Sequence, residues 1–169
     1  MSDEPNEARE PRESHTSRIV RPADDWTGES DDGSRWKRLA QLAGGDRLGC
    51  TLEELLPGHD PLPYHYHTAN EEAMYVLDGR GTLRTPAGEA EVRAGDYVSF
   101  PVGEDGAHTV ENASQTPLRY LAVSTMIEPD VVVYPDEETL CVNVGAAPGR
   151  PRGEFTLRKS FSMRDGSDV

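Results

Sequence analysis

From residue 48 onward, apolar and polar side chains alternate in short runs broken by glycine and proline. In residues 48–56, Leu48, Cys50 and Leu52 fall on one face and Gly49, Thr51 and Glu53 on the other. That period of two is the pattern of a half-buried strand, and Pro57-Gly58 ends it. A strand carrying His65 and His67 follows, then another over residues 73–77. Asp78-Gly79-Arg80-Gly81 marks a turn into residues 82–85. Further strands are predicted over 89–93, with Ala90 and Val92 on one side, and over 97–100, 108–112 and 118–125. Turns at Pro86-Ala87-Gly88, at Ala94-Gly95-Asp96 and through 113–117 separate them. With no helical segment of useful length between the strands, the pattern predicts an all-β, antiparallel sandwich or barrel.

The flanks read differently. Residues 1–18 are polar and aperiodic and cannot bury enough surface to offset their ordering entropy, so a disordered tail is expected. Residues 19–47 form an acidic arm in which Ile19, Val20 and Trp26 are the expected anchors, and residues 36–42 suit a strand or a helical turn. Residues 48–125 are the barrel, and 126–169 a C-terminal extension. Within the extension, Val131 to Tyr134 is bounded by prolines and is expected at a sheet edge or across a subunit boundary. Residues 140–144 form another apolar run, Phe155, Leu157 and Phe161 are later anchors, and residues 164–169 are expected to fray.

A chain of 169 residues suits one domain with tails. Its 31 acidic residues against 17 basic ones give a formal charge of -14, which argues against nucleic-acid and anionic-membrane partners because the field repels phosphate. Lys37 and Lys159 are the only lysines. A halophilic cytoplasm tolerates that balance; the alternative is an ordinary acidic protein whose tail inflates the total. No run reaches the ~18 apolar residues of a membrane span, and no signal-peptide pattern opens the chain, so a cytoplasmic location is expected. Cys50 and Cys141 lie far apart within apolar runs, as buried thiols in a reducing compartment do.

On a strand, His65 and His67 leave the same face, roughly 6.6 Å apart, while Tyr64 and Tyr66 point the other way. After a four-residue connection, Glu72 returns a carboxylate toward them. Two imidazoles and a carboxylate suit a first-row transition metal.

These residues resemble the cupin superfamily, double-stranded β-helix or jelly-roll barrels with two signature stretches. Gly58, His65, His67, Glu72 and Gly79 answer the first, and the spacing to Gly79 selects Glu72 over Glu71. Gly58 stands one residue further from His65 than the family usual. Gly95, Pro101, Gly103, His108 and Asn112 answer the second, with four residues, 104–107, between Gly103 and His108 where the family has two. That insertion adds an acidic loop beside the expected pocket mouth. The resemblance covers residues 48–125 and is similar in detail to single-domain cupins of uncharacterised function.

It implies one divalent transition metal (Fe, Mn, Ni, Zn or Cu) held by His65, His67, Glu72 and His108. Three histidines and a carboxylate leave an octahedral ion two positions for a small-molecule ligand. Met74 and Val76, in phase with Glu72, and Val110 and Asn112, in phase with His108, are pocket-lining candidates, Asn112 as a turn or supporting hydrogen-bonder. Tyr64 and Tyr66 are expected in packing or subunit contacts, His15 and His59 in solvent, and Glu71 as a solvated loop residue in preference to a carboxylate at the pocket rim. Two functions follow: an isomerase, decarboxylase, lyase or dioxygenase acting through the metal, or a module that binds a sugar or organic acid without turnover. A homodimer is expected, because exposed sheet edges need cover.

Overall fold

A computed structural model describes residues 18–31, 34–59, 62–145, 157–164 and 166–167. The expected disordered tail, His15, Phe155 and part of the fraying terminus lie outside them. The regular structure of the described chain is antiparallel strand with almost no helix: β1 (Gly28–Glu29), β2 (Arg35–Lys37), a single helical turn α1 (Leu39–Leu42), β3 (Leu48–Leu55), β4 (Tyr66–His67), β5 (Glu72–Asp78), β6 (Arg80–Thr85), β7 (Gly88–Arg93), β8 (Tyr97–Phe100), β9 (Thr109–Glu111), β10 (Leu118–Thr125), β11 (Asp130–Tyr134), β12 (Thr139–Val144) and β13 (Leu157–Ser162). Residues 36–42 thus contain both of the expected alternatives, the end of a strand and a helical turn.

Six strands form one sheet in the order β1-β2-β3-β10-β5-β8. Two smaller sheets, β13-β12-β11-β4 and β7-β6-β9, complete the barrel. They meet where His65 and His108 exchange backbone hydrogen bonds, 3.1 Å from His65 N to His108 O and 2.9 Å in return. The core lies between the layers, with Leu55, Met74, Val76, Phe100, Leu118 and Tyr120 of the six-stranded sheet against Leu83, Val92 and Val110 of the three-stranded one. Gly79, at φ 80°, turns β5 into β6, and a Cβ there would meet Pro117 O at 2.4 Å. Only glycine fits that turn.

Three expectations need correction. The inner face of β3 is the opposite of the one its apolar pattern suggests. Register sets Leu55 against Leu118 and Glu53 against Tyr120, so Gly49, Thr51, Glu53 and Leu55 face inward. Leu52 pairs with Leu121 on the outer face, where Leu48 is 56% exposed.

Val131 to Tyr134 lies within its sheet, not at an edge, because β12 flanks β11 on one side and β4 on the other. In the arm, Ile19 is exposed; the anchor is Lys37, buried, whose ammonium donates to the carbonyls of Arg21, Pro22 and Asp24. Trp26 does dock, with the Arg35 guanidinium 4.4 Å from its ring centre. Arg35 and Arg119 both pair with the buried Glu54, and these contacts outweigh the cost of burial and hold its carboxyl below the usual range.

Candidate metal centre

Four side chains converge on one point. The residue before β4 presents His65, the last residue of β4 presents His67, the first residue of β5 presents Glu72, and the residue before β9 presents His108. Glu72 Oε2 lies 3.5 Å from His67 Nε2, 3.7 Å from His108 Nε2 and 4.0 Å from His65 Nε2. The ligand atoms of His65, His67 and Glu72 all fall within 4.8 Å of one another.

The far nitrogen of each ring explains the convergence. His65 Nδ1 sits 2.8 Å from Pro63 O and His108 Nδ1 2.9 Å from Gly106 O. Carbonyls only accept, so each Nδ1 carries the proton and each Nε2 lone pair is left facing Glu72. His67 Nδ1 lies 2.5 Å from Asp130 Oδ2, and this carboxylate does the same for the third ring. Three lone pairs aimed at a carboxylate oxygen repel one another unless a cation lies between them. The donor set therefore fits a divalent transition metal.

Burial, reinforced by neighbouring imidazoles, lowers the pKa of His65 to about 4 and of His108 to about 3, so both rings are neutral at neutral pH. Burial also pulls His67 down, but the Asp130 hydrogen bond and the charges of Glu72 and Asp130 outweigh it, and the net shift is upward. Burial raises Glu72, opposed by His67 and the neighbouring Ser124 hydroxyl. Asp130 is raised by its own burial and lowered by His67, Asn70 and the Ala69 amide; the lowering wins, and it stays ionised.

The residues around the cluster fall into clear places. Glu71 is exposed and turned away, its amide bonded to the Thr125 hydroxyl. Met74, Val76 and Val110 are in the core beneath the cluster. Asn112 is fully buried and spent on the chain, its amide nitrogen donating to Leu55 O and Thr116 O and its oxygen accepting from Ser114. Tyr64 lies under the Arg84 guanidinium at 4.0 Å. His59 is half-buried, not solvated, and its Nδ1 is shut off from solvent. The four residues between Gly103 and His108 fold largely as a tight turn, Glu104–Gly106, whose last carbonyl holds His108.

Reasoning from sequence missed Asp130, which lies 63 residues from His67 and reaches it through the β11–β4 pairing. It also missed Phe100, whose ring stacks on His108 at 3.6 Å, and Asn70, which pins the turn before Glu72 to Ile127. No local pattern marks these three: Asp130 and Asn70 act across distant strands, and Phe100 folds back on His108 through the turn between them.

A family profile described as the cupin domain matches residues 51–124. Among solved structures, the sugar phosphate isomerase of Silicibacter pomeroyi DSS-3 is 25% identical, with a TM-score of 0.70 over 82% of this chain and 81% of that one. A protein of Acidithiobacillus ferrooxidans ATCC 23270, provisionally assigned as a sugar phosphate isomerase, is 30% identical with a TM-score of 0.67 over 79% of each chain. The oxalate-binding protein of Thermotoga maritima is 31% identical over 72 residues, 43% of this chain. The chain spans little more than half the length of the curated relatives it matches, 56% and 58%.

Proposed function

The chain belongs to the cupin superfamily, and from that premise we propose that His65, His67, Glu72 and His108 hold one divalent transition metal on which an oxygen-bearing small molecule is bound and isomerised. The observation that carries this is the convergence of three Nε2 atoms on Glu72 Oε2. The ion, when bound, supplies Lewis-acid polarisation of a ligand carbonyl. The protein's part is to keep the imidazoles neutral and aimed, through Pro63 O, Gly106 O and Asp130, and to shield them from water by stacking Phe100 on His108.

Sugar phosphates are the favoured substrate class, supported by the likeness to the Silicibacter protein across four-fifths of both chains. A second reading, binding of a small dicarboxylate without turnover, is supported by the Thermotoga relative. Metal analysis of purified protein tests the centre. Stoichiometric metal is expected in the wild type and its loss in His65→Ala and Glu72→Gln; equal retention in both variants overturns the assignment. Incubating metal-loaded protein with aldose and ketose phosphates separates the readings, because binding without conversion favours the non-catalytic one.

We also propose a homodimer. Internal pairing of β11 removes Val131 to Tyr134 as its seat. The outer face of the six-stranded sheet carries Tyr75, Leu77 and Tyr97, exposed by 42, 44 and 65%, with Leu48 on the same face. A second copy covers this apolar face without bringing two negatively charged surfaces together.

A further inference from the structure

The inner wall of β3 carries a carboxylate that the metal centre does not use. Glu53 faces inward, half-buried, with Tyr120 opposite it on β10 and Trp36 opposite it on β2. Tyr120 is buried and its register partner on β5 is Val76, fully enclosed. Among the described residues neither the Glu53 carboxylate nor the Tyr120 hydroxyl has a hydrogen-bond partner. Neither is among the side-chain atoms sealed from solvent without a partner, so both groups open onto accessible space in which a donor and an acceptor can be supplied.

The rungs of the sheet show where that something lies. Glu72 pairs with Ser124, Met74 with Ala122 and Val76 with Tyr120 on β10, while Gly49, Thr51 and Glu53 continue the same rungs on β3. From the metal centre to Glu53 the β3 and β10 part of this wall is lined by Gly49, Ser124, Thr51 and Ala122, all small, with Met74 of β5 on the middle rung, and beyond Glu53 it is closed by Leu55 and Leu118, both fully buried. Four residues along a strand put the two rungs ~13 Å apart at the backbone. Side chains shorten that gap, and the Tyr120 hydroxyl lies within the fields of both Glu53 and Glu72, which together with burial hold its pKa well above the usual value.

We propose that Glu53 and Tyr120 form a second ligand-binding station, accepting from and donating to the hydroxyls of an elongated polyhydroxylated ligand whose oxygen-bearing head sits at the His65, His67, Glu72 and His108 centre. The inference rests on the metal-centre reading and narrows it, since a two-carbon acid is too short to touch both stations and a sugar or sugar acid is not. Burial of Glu53 raises its carboxyl to about 7, Arg38 pulling the other way, so at neutral pH it is present in both acceptor and donor forms. Trp36 supplies an apolar wall beside it.

Calorimetric titration of the metal-loaded, full-length protein with gluconate and with oxalate tests this. Glu53→Gln and Tyr120→Phe are each expected to weaken gluconate about tenfold or more, the worth of one hydrogen bond to a charged or buried group. Oxalate affinity and metal stoichiometry are expected to stay as in the wild type. Gluconate affinity unchanged in both variants, parallel weakening of both probes, or no gluconate binding to wild type overturns the second station. Absence of metal and of oxalate binding in the wild type overturns the metal centre instead; gluconate affinity that still falls in both variants then supports the station on its own.

Discussion

Asp130 Oδ2 lies 2.5 Å from Nδ1 of His67, at the heart of the barrel, with Asp130 fully buried. Its other oxygen accepts from the Ala69 amide at 3.0 Å, so one carboxylate orients the ring and ties down the turn that follows it. A buried carboxylate with both oxygens engaged holds the His67 tautomer and increases the ring's basicity toward a metal. Asp130→Asn is expected to weaken metal affinity 10- to 100-fold, the usual range for losing such a partner. Competition with a chromogenic chelator measures it, and an unchanged affinity would leave Asp130 with only its structural contact to Ala69.

Glu53 makes stability depend on pH. Its folded pKa, about 7, lies above the ordinary 4.5 because burial disfavours the charge. A raised pKa means the folded state binds the proton more tightly, so the contribution is fully present below about 4.5 and is lost as pH rises through about 7. Glu53→Gln cannot ionise. The variant should match wild type near pH 4 and be more stable at pH 8, by up to ~3 kcal/mol at 1.36 kcal/mol per unit. Thermal unfolding at the two pH values reads the difference; a variant less stable at pH 8 contradicts the buried placement.

Gly106 approaches Pro101 so closely that a Cβ would stand 1.7 Å from the Pro101 carbonyl oxygen. Both are backbone-fixed, so Gly106→Ala has to move the turn whose carbonyl holds His108. A loss of roughly 2–4 kcal/mol in denaturant unfolding is expected, with weaker metal binding in the protein that still folds. Wild-type stability in this variant would show the turn to be pliant.

The apolar outer sheet face predicts a dimer at micromolar concentration in sedimentation. Tyr97→Glu, placed at the most exposed of its aromatic positions, is expected to shift the population to monomer and to leave metal content unchanged. A wild-type monomer throughout that range removes the assignment.

The antiparallel strands, the turns at Gly79 and Gly95, and the convergence of His65, His67, Glu72 and His108 were legible in sequence because each rests on local spacing or on motif order. Alternation places i and i+2 together on any strand, whatever the tertiary fold. The distance to Gly79 pointed to Glu72 over Glu71, and in the fold Glu72 lies beside His65 and His67 while Glu71 is exposed.

Alternation, however, says only that two faces differ. Which face of β3 looks inward depended on its register with β10, and there the apolar Leu48, Cys50 and Leu52 lie outside while Glu53 lies within. Val131 to Tyr134 read as an edge because prolines bound it, yet β4 and β12 flank it on both sides.

The sequence alone therefore determined the strand pattern and brought His65, His67 and Glu72 together through spacing, while His108 was indicated by the resemblance to the second cupin signature stretch. Tertiary structure decided what surrounds them: Asp130 behind His67, Phe100 over His108, and Glu53 with Tyr120 along the wall from Glu72. Asp130 meets His67, and Tyr120 meets Glu53, through pairing between strands more than sixty residues apart, and Phe100 reaches His108 through the turn at 101–107; strand alternation carries no information about either kind of approach.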